Sequence, residues 1–166
     1  RIIRETDRKA NRRDYAIVLT LLGCGLRVSE LVALDRDDVT TISERKGTLH
    51  VRNGKGGQER YVPIPADTRR AIKQYLAQRT DDKPALFLSQ LGKRISERTI
   101  QDMLAKYGVH PHQLRHTYVK ALVDKGVPTA TIMSLTGHSS ADMVAWYSQP
   151  SEEEKAQAVE NLFAGN

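Results

Sequence analysis

Residues 110–126 read HPHQLRHTYVKALVDKG and combine a strong helix signal with a dense group of histidine and arginine side chains. Pro111 suits the first turn of a helix, where its missing N–H is not needed, and the closing glycine suits a C-terminal end. The pattern therefore predicts a helix over residues 112–125. His112 and Arg115 are three residues apart, so both project from one face at its start. A phosphate bound there would meet an imidazole, a guanidinium and the positive end of the helix.

Apolar residues recur at helical spacing on both sides of this segment. The first predicted helix covers residues 12–22 and ends at Gly23 and Gly25, and the next covers residues 28–34. Further helices are predicted at residues 71–76, after Ser96, from Pro128 to Gly137, over residues 142–147, and after the capping box that starts at Ser151.

The hydrophobic period changes to two in the middle of the chain. Leu49 and Val51 alternate with polar residues, and Tyr61-Val62-Pro63-Ile64 follows a glycine-rich turn. This pattern predicts a β-hairpin with Lys55 at or near its tip, and Leu86-Phe87-Leu88 is expected to add a short third strand. The expected fold class is mainly α (α+β), a helical domain with a small antiparallel β-sheet.

Composition favours a single basic domain. The 166 residues carry 26 Lys and Arg against 20 Asp and Glu, a net charge of +6, which points to a polyanionic partner. Cys24 is the only cysteine, so an internal disulfide is excluded and a reducing, cytoplasmic compartment is expected. No apolar run is long enough to predict a membrane helix.

Six residues scattered over the chain form a set suited to breaking and rejoining a DNA phosphodiester. They are Arg27, Lys55, His112, Arg115, His138 and Tyr147. Their settings are GLRVSEL at residues 25–31, GKGG at 54–57, HQLRHT at 112–117 and GH at 137–138, with Tyr147 nine residues beyond His138. In this order and spacing, from about Asp14 to Tyr147, the chain resembles the tyrosine recombinases, also called phage-integrase-type recombinases.

The resemblance implies a helical tyrosine-recombinase-like catalytic domain and a role for each residue of the set. Tyr147 would attack phosphorus, because a phenol gives a stable ester that a DNA hydroxyl can attack later. His112 is the expected base for the tyrosine proton, and Lys55 is the expected acid for the leaving 5′ oxygen.

The remaining members would hold the phosphate. Arg27 and Arg115 would clamp its non-bridging oxygens, and His138 would donate a further hydrogen bond. Glu30 and His116 are expected to support these residues without contacting the phosphate. The expected partner is double-stranded DNA, bound by a homo-tetramer or hetero-tetramer, with no cofactor, no metal and no membrane.

Local sequence leaves simpler interpretations open. Arg27 and Glu30 also fit a surface ion pair, and Lys55 also fits a flexible solvent-facing turn, with Lys46 as a weaker competitor for its role. Tyr147 alone would be assigned to the core. Only the six residues together favour the site.

A metal site is the other chemistry that the histidines permit. His112 and His116 are four residues apart and His110 is close by, which resembles a ligand cluster. The chain has no His-Glu-x-x-His string and no cysteine pair, and two arginines already neutralise a phosphate transition state.

Thr136 is a departure from the family pattern, since an apolar residue usually precedes the Gly-His pair; we expect an effect on packing rather than on chemistry.

Two alternative functions use the same residues or the same fold. A type IB topoisomerase would relax DNA without exchanging partners, and a non-catalytic DNA-binding module would keep the fold alone. We expect residues 1–166 to form one catalytic domain, the C-terminal part of a longer protein. Residues 151–166 are expected to form a helix or tail that docks on a neighbouring protomer.

Overall fold

The structure is a computed structural model of the chain. It describes residues 2–8, 11–43, 46–52, 59–138, 140, 142–145, 156 and 159–160. Lys55, Trp146 and Tyr147 lie outside the described residues, as do most of residues 151–166. None of the described helices is both long and apolar enough to cross a membrane.

Helices make up most of the described chain, as the sequence predicts. They are α1 (Ile2–Arg8), α2 (Arg12–Cys24), α3 (Val28–Ala33), α4 (Ala66–Leu76), α5 (Glu97–Ala105), α6 (Pro111–Asp124), α7 (Thr129–Thr136) and α8 (Asp142–Ala145), with a 3-10 turn at Arg36–Asp38. Side-chain caps fix several helix starts: Asn11 accepts from the backbone N–H of Asp14 at α2, and Ser96 accepts from that of Thr99 at α5.

Three antiparallel strands form one small sheet in the order β1 (Val39–Ser43), β2 (Lys46–Val51) and β3 (Arg60–Pro63). In the predicted hairpin, β2 pairs with β3 and Leu49 lies opposite Val62. Leu49, Val51 and Val62 are buried, so the two-residue period does mark the face that packs on the core.

The prediction of a strand at Leu86-Phe87-Leu88 is wrong; the third strand is β1. Leu86 donates its backbone N–H to Leu34, and around it the backbone forms only isolated bridges, one joining Asp35 to Ala85. The apolar run reflects burial, because Leu86 and Phe87 are almost wholly enclosed by the core. A short apolar run fits a buried connection as well as a strand.

The first predicted helix extends further than expected, because Gly23 lies inside α2 and only Gly25 ends it. A Cβ atom on Gly23 would lie 2.6 Å from Oγ1 of Thr68, so this glycine permits close packing of α2 on α4. Gly25 has a φ of 61°, and a Cβ there would lie 2.1 Å from the ring of Tyr118 on α6.

Helix α2 is the centre of the core. Ile17, Val18 and Leu21 have no exposed surface, and the helix packs against α1, α4 and α6. Its C-terminal end therefore lies beside α6, which places the segment that follows Gly25 next to Arg115. A smaller apolar cluster centred on Val119 and Ile132 joins α6 to α7.

Candidate active site

Glu30 on α3 is the centre of an interlocked group of charged side chains. Its Oε1 accepts hydrogen bonds from Nη1 of Arg27 and Nη1 of Arg60, both at 2.9 Å. Its Oε2 accepts from the backbone N–H of Arg27 and from Nη2 of Arg60, both at 2.8 Å, and lies 4.0 Å from Nη1 of Arg115. We call Glu30 and these three arginines the arginine cluster.

Burial sets the character of this cluster. The side chain of Glu30 is only 2% exposed, so its pair with Arg27 is not a surface ion pair. Burial alone would raise the pKa of Glu30, but the hydrogen bonds from Arg60 and Arg27 outweigh it and lower that pKa below its ordinary value. One carboxylate faces three guanidinium groups, which leaves an excess of two positive charges.

The same three arginines bind the C-terminal end of α7. Three consecutive backbone carbonyls there each accept a hydrogen bond from a different guanidinium. The pairs are Leu135 with Nε of Arg60 at 2.9 Å, Thr136 with Nη2 of Arg115 at 2.7 Å, and Gly137 with Nη2 of Arg27 at 3.2 Å. Cations are favourable at a helix C-terminus, where the last carbonyls lack partners within the helix.

Arg115 is almost completely buried, at 4% exposure. Its Nη1 donates to the carbonyl of Gly25 at 2.6 Å, and its Nη2 lies 3.1 Å from Nε2 of His138. This side chain therefore joins α6 to Gly25 at the end of α2 and to His138, two residues after the end of α7.

His138 follows the αL residue Gly137, which ends α7 with a φ of 66°. Its Nδ1 lies 2.9 Å from Oγ1 of Thr136. Burial lowers the pKa of His138 to about 4, and the nearby charges of Arg115, Arg27 and Arg60 act in the same direction. The imidazole is therefore neutral near pH 7.

Three histidines lie at the start of α6, and each has a different setting. His110 caps the helix: its Nδ1 accepts from the backbone N–H of Gln113 at 3.3 Å, and Oε1 of Gln113 accepts from the backbone N–H of His110 at 3.1 Å. His112 is exposed one turn before Arg115. His116 packs edge-on against it with ring centroids 4.1 Å apart, and burial, followed by the charge of His112, lowers the pKa of His116.

These histidines do not form a metal cluster. Within the described part of the chain, no group of three or more His, Cys, Asp or Glu side chains could hold a metal ion. The ring of His110 is directed to its own helix cap instead.

The structure brings Arg27, Arg115 and His138 together around Glu30, with His112 on the same helix as Arg115. Lys55 and Tyr147 lie outside the described residues, so their places in the site stay predictions. Lys46, the competitor of Lys55, opens β2 and is exposed.

Two residues of this site were missed from the sequence. Arg60 stands two residues before the buried Val62 on β3, so strand alternation places it on the inner face of the sheet. This alternation is the sequence pattern that could have indicated a role for Arg60. Thr136, expected to affect packing only, contacts the ring of His138. No local sequence pattern predicts that contact.

A separate cavity of about 610 Å³ lies between β1 and α4. Arg36, Arg69, Arg70 and Lys73 line it, together with apolar groups, and no predicted site residue among the described ones does. We take the arginine cluster as the candidate site instead, because Arg27, Arg115 and His138 meet there.

The chain is similar to known proteins in sequence and in fold. Residues 1–154 match the model of the phage integrase family. The chain is 40% identical over 168 residues to the tyrosine recombinase XerA of Pyrococcus furiosus, covering 92% of this chain and 58% of that protein. It is 35% identical over 153 residues to the tyrosine recombinase XerC of Chromobacterium violaceum, covering 86% of this chain and 50% of that protein. The chain thus spans about half the length of the curated relatives it matches.

Solved structures give the same result for the fold. A crystal structure of XerA recombinase superposes with a TM-score of 0.76 at 28% identity, covering 96% of this chain and 60% of that chain. The XerH site-specific recombinase, bound to a palindromic difH substrate in a post-cleavage complex, superposes with a TM-score of 0.79 at 20% identity, covering 95% of this chain and 49% of that chain. By its sequence match and its fold, the chain belongs to the phage integrase family of tyrosine recombinases.

Proposed function

We propose that this chain cleaves and rejoins DNA strands as the catalytic part of a site-specific recombinase, through a 3′-phosphotyrosyl intermediate. The observation that carries the proposal is the arginine cluster, whose two excess positive charges adjoin a neutral histidine. Such a group of donors suits the pentavalent phosphorus of a phosphoryl transfer, where negative charge develops on the non-bridging oxygens.

In the proposed reaction the phenolic oxygen of Tyr147 attacks a DNA phosphate. The new phosphotyrosyl bond replaces the bond to the 5′ oxygen, which leaves as a hydroxyl after gaining a proton. A 5′ hydroxyl from the partner strand then attacks the phosphotyrosyl and returns the proton to Tyr147. One phosphodiester replaces another, so the exchange needs no nucleotide cofactor.

The described residues supply the charge for this step. Among the described residues, the hydrogen bonds of Arg27 to Glu30 and Gly137 use two of its five N–H donors, which leaves three for a phosphate oxygen. Its side chain is 26% exposed, whereas that of Arg115 is 5% exposed. We therefore propose that Arg27 meets the phosphate from the solvent side and Arg115 from the protein side.

His112 and Lys55 are the proposed proton carriers. His112 is exposed on the first turn of α6, where it can reach a tyrosine at the DNA surface. The proposal gives Lys55 the proton for the leaving 5′ oxygen.

The proposal extends to partners. Double-stranded DNA is the proposed substrate, and the proposed active form is a tetramer on DNA. The helix or tail over residues 151–166 would dock on a neighbouring protomer; it lies mostly outside the described residues. The cytoplasmic compartment stays a prediction from the single cysteine. A type IB topoisomerase or a non-catalytic module would fit the fold, but no observation favours either.

The test is covalent trapping on nicked suicide DNA that carries candidate sites. We expect the unmodified chain to give a protein–DNA adduct, and Tyr147→Phe to bind DNA without forming one, because it lacks only the attacking oxygen. Tyr118→Phe is the matched control, since burial raises the pKa of Tyr118 to about 12. An adduct that persists in Tyr147→Phe and disappears in Tyr118→Phe would contradict the proposal, and a joined product distinguishes a recombinase from a topoisomerase.

A second substrate tests Lys55. Lys55→Ala should cleave more slowly by about 10²–10⁴-fold, which is the usual worth of general-acid help. Sulfur in place of the bridging 5′ oxygen leaves without a proton, so it should restore cleavage to Lys55→Ala. It should not restore cleavage to Arg115→Ala, whose defect concerns the other oxygens. Equal rescue of both variants would remove Lys55 from the role of acid.

A further inference from the structure

Thr136 is a buried polar residue whose hydroxyl contacts the site. It is the last residue of α7 and has no exposed surface. Its Oγ1 donates to the carbonyl of Ile132, one turn earlier, at 2.6 Å, and lies 2.9 Å from Nδ1 of His138. An apolar side chain of the same size would fill the space equally well but would offer the imidazole no partner.

The hydrogen-bond inventory decides the direction of this contact. A hydroxyl has one hydrogen, and Thr136 gives it to Ile132. The oxygen can therefore only accept from His138, which requires a proton on Nδ1 of the ring.

A second contact reaches the same result from the other side of the ring. Nε2 of His138 lies 3.1 Å from Nη2 of Arg115, and a guanidinium nitrogen only donates. Nε2 must then be the nitrogen with the free lone pair. The two contacts come from different helices, α7 and α6, and both select the neutral tautomer that carries its proton on Nδ1.

We propose that Thr136 is a positioning residue that keeps the proton of His138 on Nδ1 and turns Nε2 towards Arg115 and the phosphate. The proposal rests on the proposed function and deepens it. Because Thr136 accepts from Nδ1 in both the neutral and the charged ring, Nε2 is the only nitrogen whose protonation changes. Nε2 accepts from Arg115 in the free protein, and it becomes a donor to a phosphate oxygen when the ring is charged.

The charges around the ring explain why this orientation matters. His138 faces Arg115 from α6, Arg27 and Glu30 from the start of α3, and Arg60 from β3. Burial, together with three cations against one anion, keeps the free ring neutral, whereas a bound phosphate adds the negative charge that favours an imidazolium. A ring with its proton on Nε2 would direct an N–H at Arg115 and weaken the cluster instead.

The experiment compares three variants of the chain. Thr136→Val removes the hydroxyl and keeps the shape, and Thr136→Ser keeps the hydroxyl. Thr20→Val is the control, because Thr20 is equally buried and its Oγ1 makes the same bond to a carbonyl one turn earlier, at 2.7 Å, but it makes no hydrogen bond to any site residue that the structure describes.

The first readout is the nitrogen-15 spectrum of the histidine rings near pH 7, assigned with His138→Gln. We expect Nδ1 of His138 to be protonated and Nε2 unprotonated in the unmodified chain, Thr136→Ser and Thr20→Val. In Thr136→Val only the contact with Arg115 still selects this tautomer, so the two nitrogen signals should move part of the way towards each other as the second tautomer becomes populated. Unchanged ring signals in Thr136→Val would overturn the proposal, whatever the activity.

The second readout is the rate of covalent adduct formation on suicide DNA. Thr136→Val should be slower by about tenfold, the equivalent of one lost hydrogen bond, and Thr136→Ser should restore the rate. An equal loss in Thr20→Val would show a purely structural effect and overturn the proposal. If the unmodified chain forms no adduct, the proposed function fails, and the ring spectrum still decides the role of Thr136.

Discussion

The arginine cluster and the start of α6 both supply predicted site residues, but they are built differently. The cluster joins α3, β3 and α6, and its members come from positions 27 to 115. The start of α6 places His110, His112 and His116 within two turns of one helix. The first region is largely buried and its members are joined by hydrogen bonds, whereas His110 and His112 of the second are exposed.

This difference separates two ways of holding charge. In the cluster, Glu30 stabilises the fold and positions Arg27 at once, so a change there should affect stability and activity together. At the start of α6, capping belongs to His110 and the proposed proton transfer to His112. Changes there should therefore separate stability from activity.

The largest expected effect comes from Glu30→Gln. The amide keeps the shape but removes the negative charge that faces three guanidinium groups, two of which are nearly buried. The free energy of unfolding in urea should fall by about 3–5 kcal/mol, as expected when a buried ion pair loses one partner. Asp102→Asn is the control, since its pair with Arg98 is exposed and should contribute at most about 0.5 kcal/mol. Equal losses in both variants would contradict the distinction between the regions.

The next effect should separate activity from stability. His112→Ala removes the proposed base from an exposed position, so adduct formation should slow by about 100-fold, while the free energy of unfolding changes by less than about 0.5 kcal/mol. His116→Ala is the comparison, because that ring packs on His112 but has no proposed proton role. A larger rate loss in His116→Ala would transfer the role of base to His116.

The two regions also differ in how far sequence could predict them. The spacing of His112 and Arg115 on one helix face follows from helix geometry, and α6 begins and ends close to its signals, Pro111 and Gly126. The hairpin followed from the two-residue period of β2 and β3. These are local patterns, and local patterns were sufficient for most of the fold.

What sequence did not predict depends on contacts between distant segments. Arg60 is 30 residues from Glu30, and nothing in its own surroundings indicates that carboxylate. The meeting of Arg27 with the carbonyl of Gly137 spans 110 residues. From sequence alone, Gly23 indicates a helix end. Its close packing against Thr68 arises only in the folded chain, so no local pattern shows that it lies inside α2.

A pH titration tests the electrostatics of the cluster. The pKa of His138 is about 4 in the folded chain, below the ordinary 6.5, because of burial and the neighbouring arginines. The unfolded chain thus binds more protons than the folded chain between pH 4 and pH 6.5. The contribution of His138 to the free energy of unfolding is therefore complete above pH 6.5 and is lost as the pH falls towards 4. A difference of one bound proton changes the free energy of unfolding by at most about 1.4 kcal/mol per pH unit, and the partial exposure of His138 reduces this change.

His138→Gln should flatten this dependence when unfolding is measured between pH 4.5 and 7. Glu30 does not interfere, because its pKa is lowered from 4.5 and its own contribution is lost at more acidic pH. An unchanged slope in His138→Gln would show that the folded chain leaves this imidazole at its ordinary pKa.

The smallest effect concerns the cap of α6. His110→Ala removes the side-chain acceptor for the backbone N–H of Gln113, so the free energy of unfolding should fall by about 0.5–1 kcal/mol. His110→Ser restores an acceptor at the same place and should restore stability. Adduct formation should stay unchanged in both variants, because the ring of His110 is used by the helix and not by the phosphate. Both variants could instead lose adduct formation while His110→Ser restores stability. His110 would then take part in the reaction, and the start of α6 would no longer divide into a capping residue and a proton carrier.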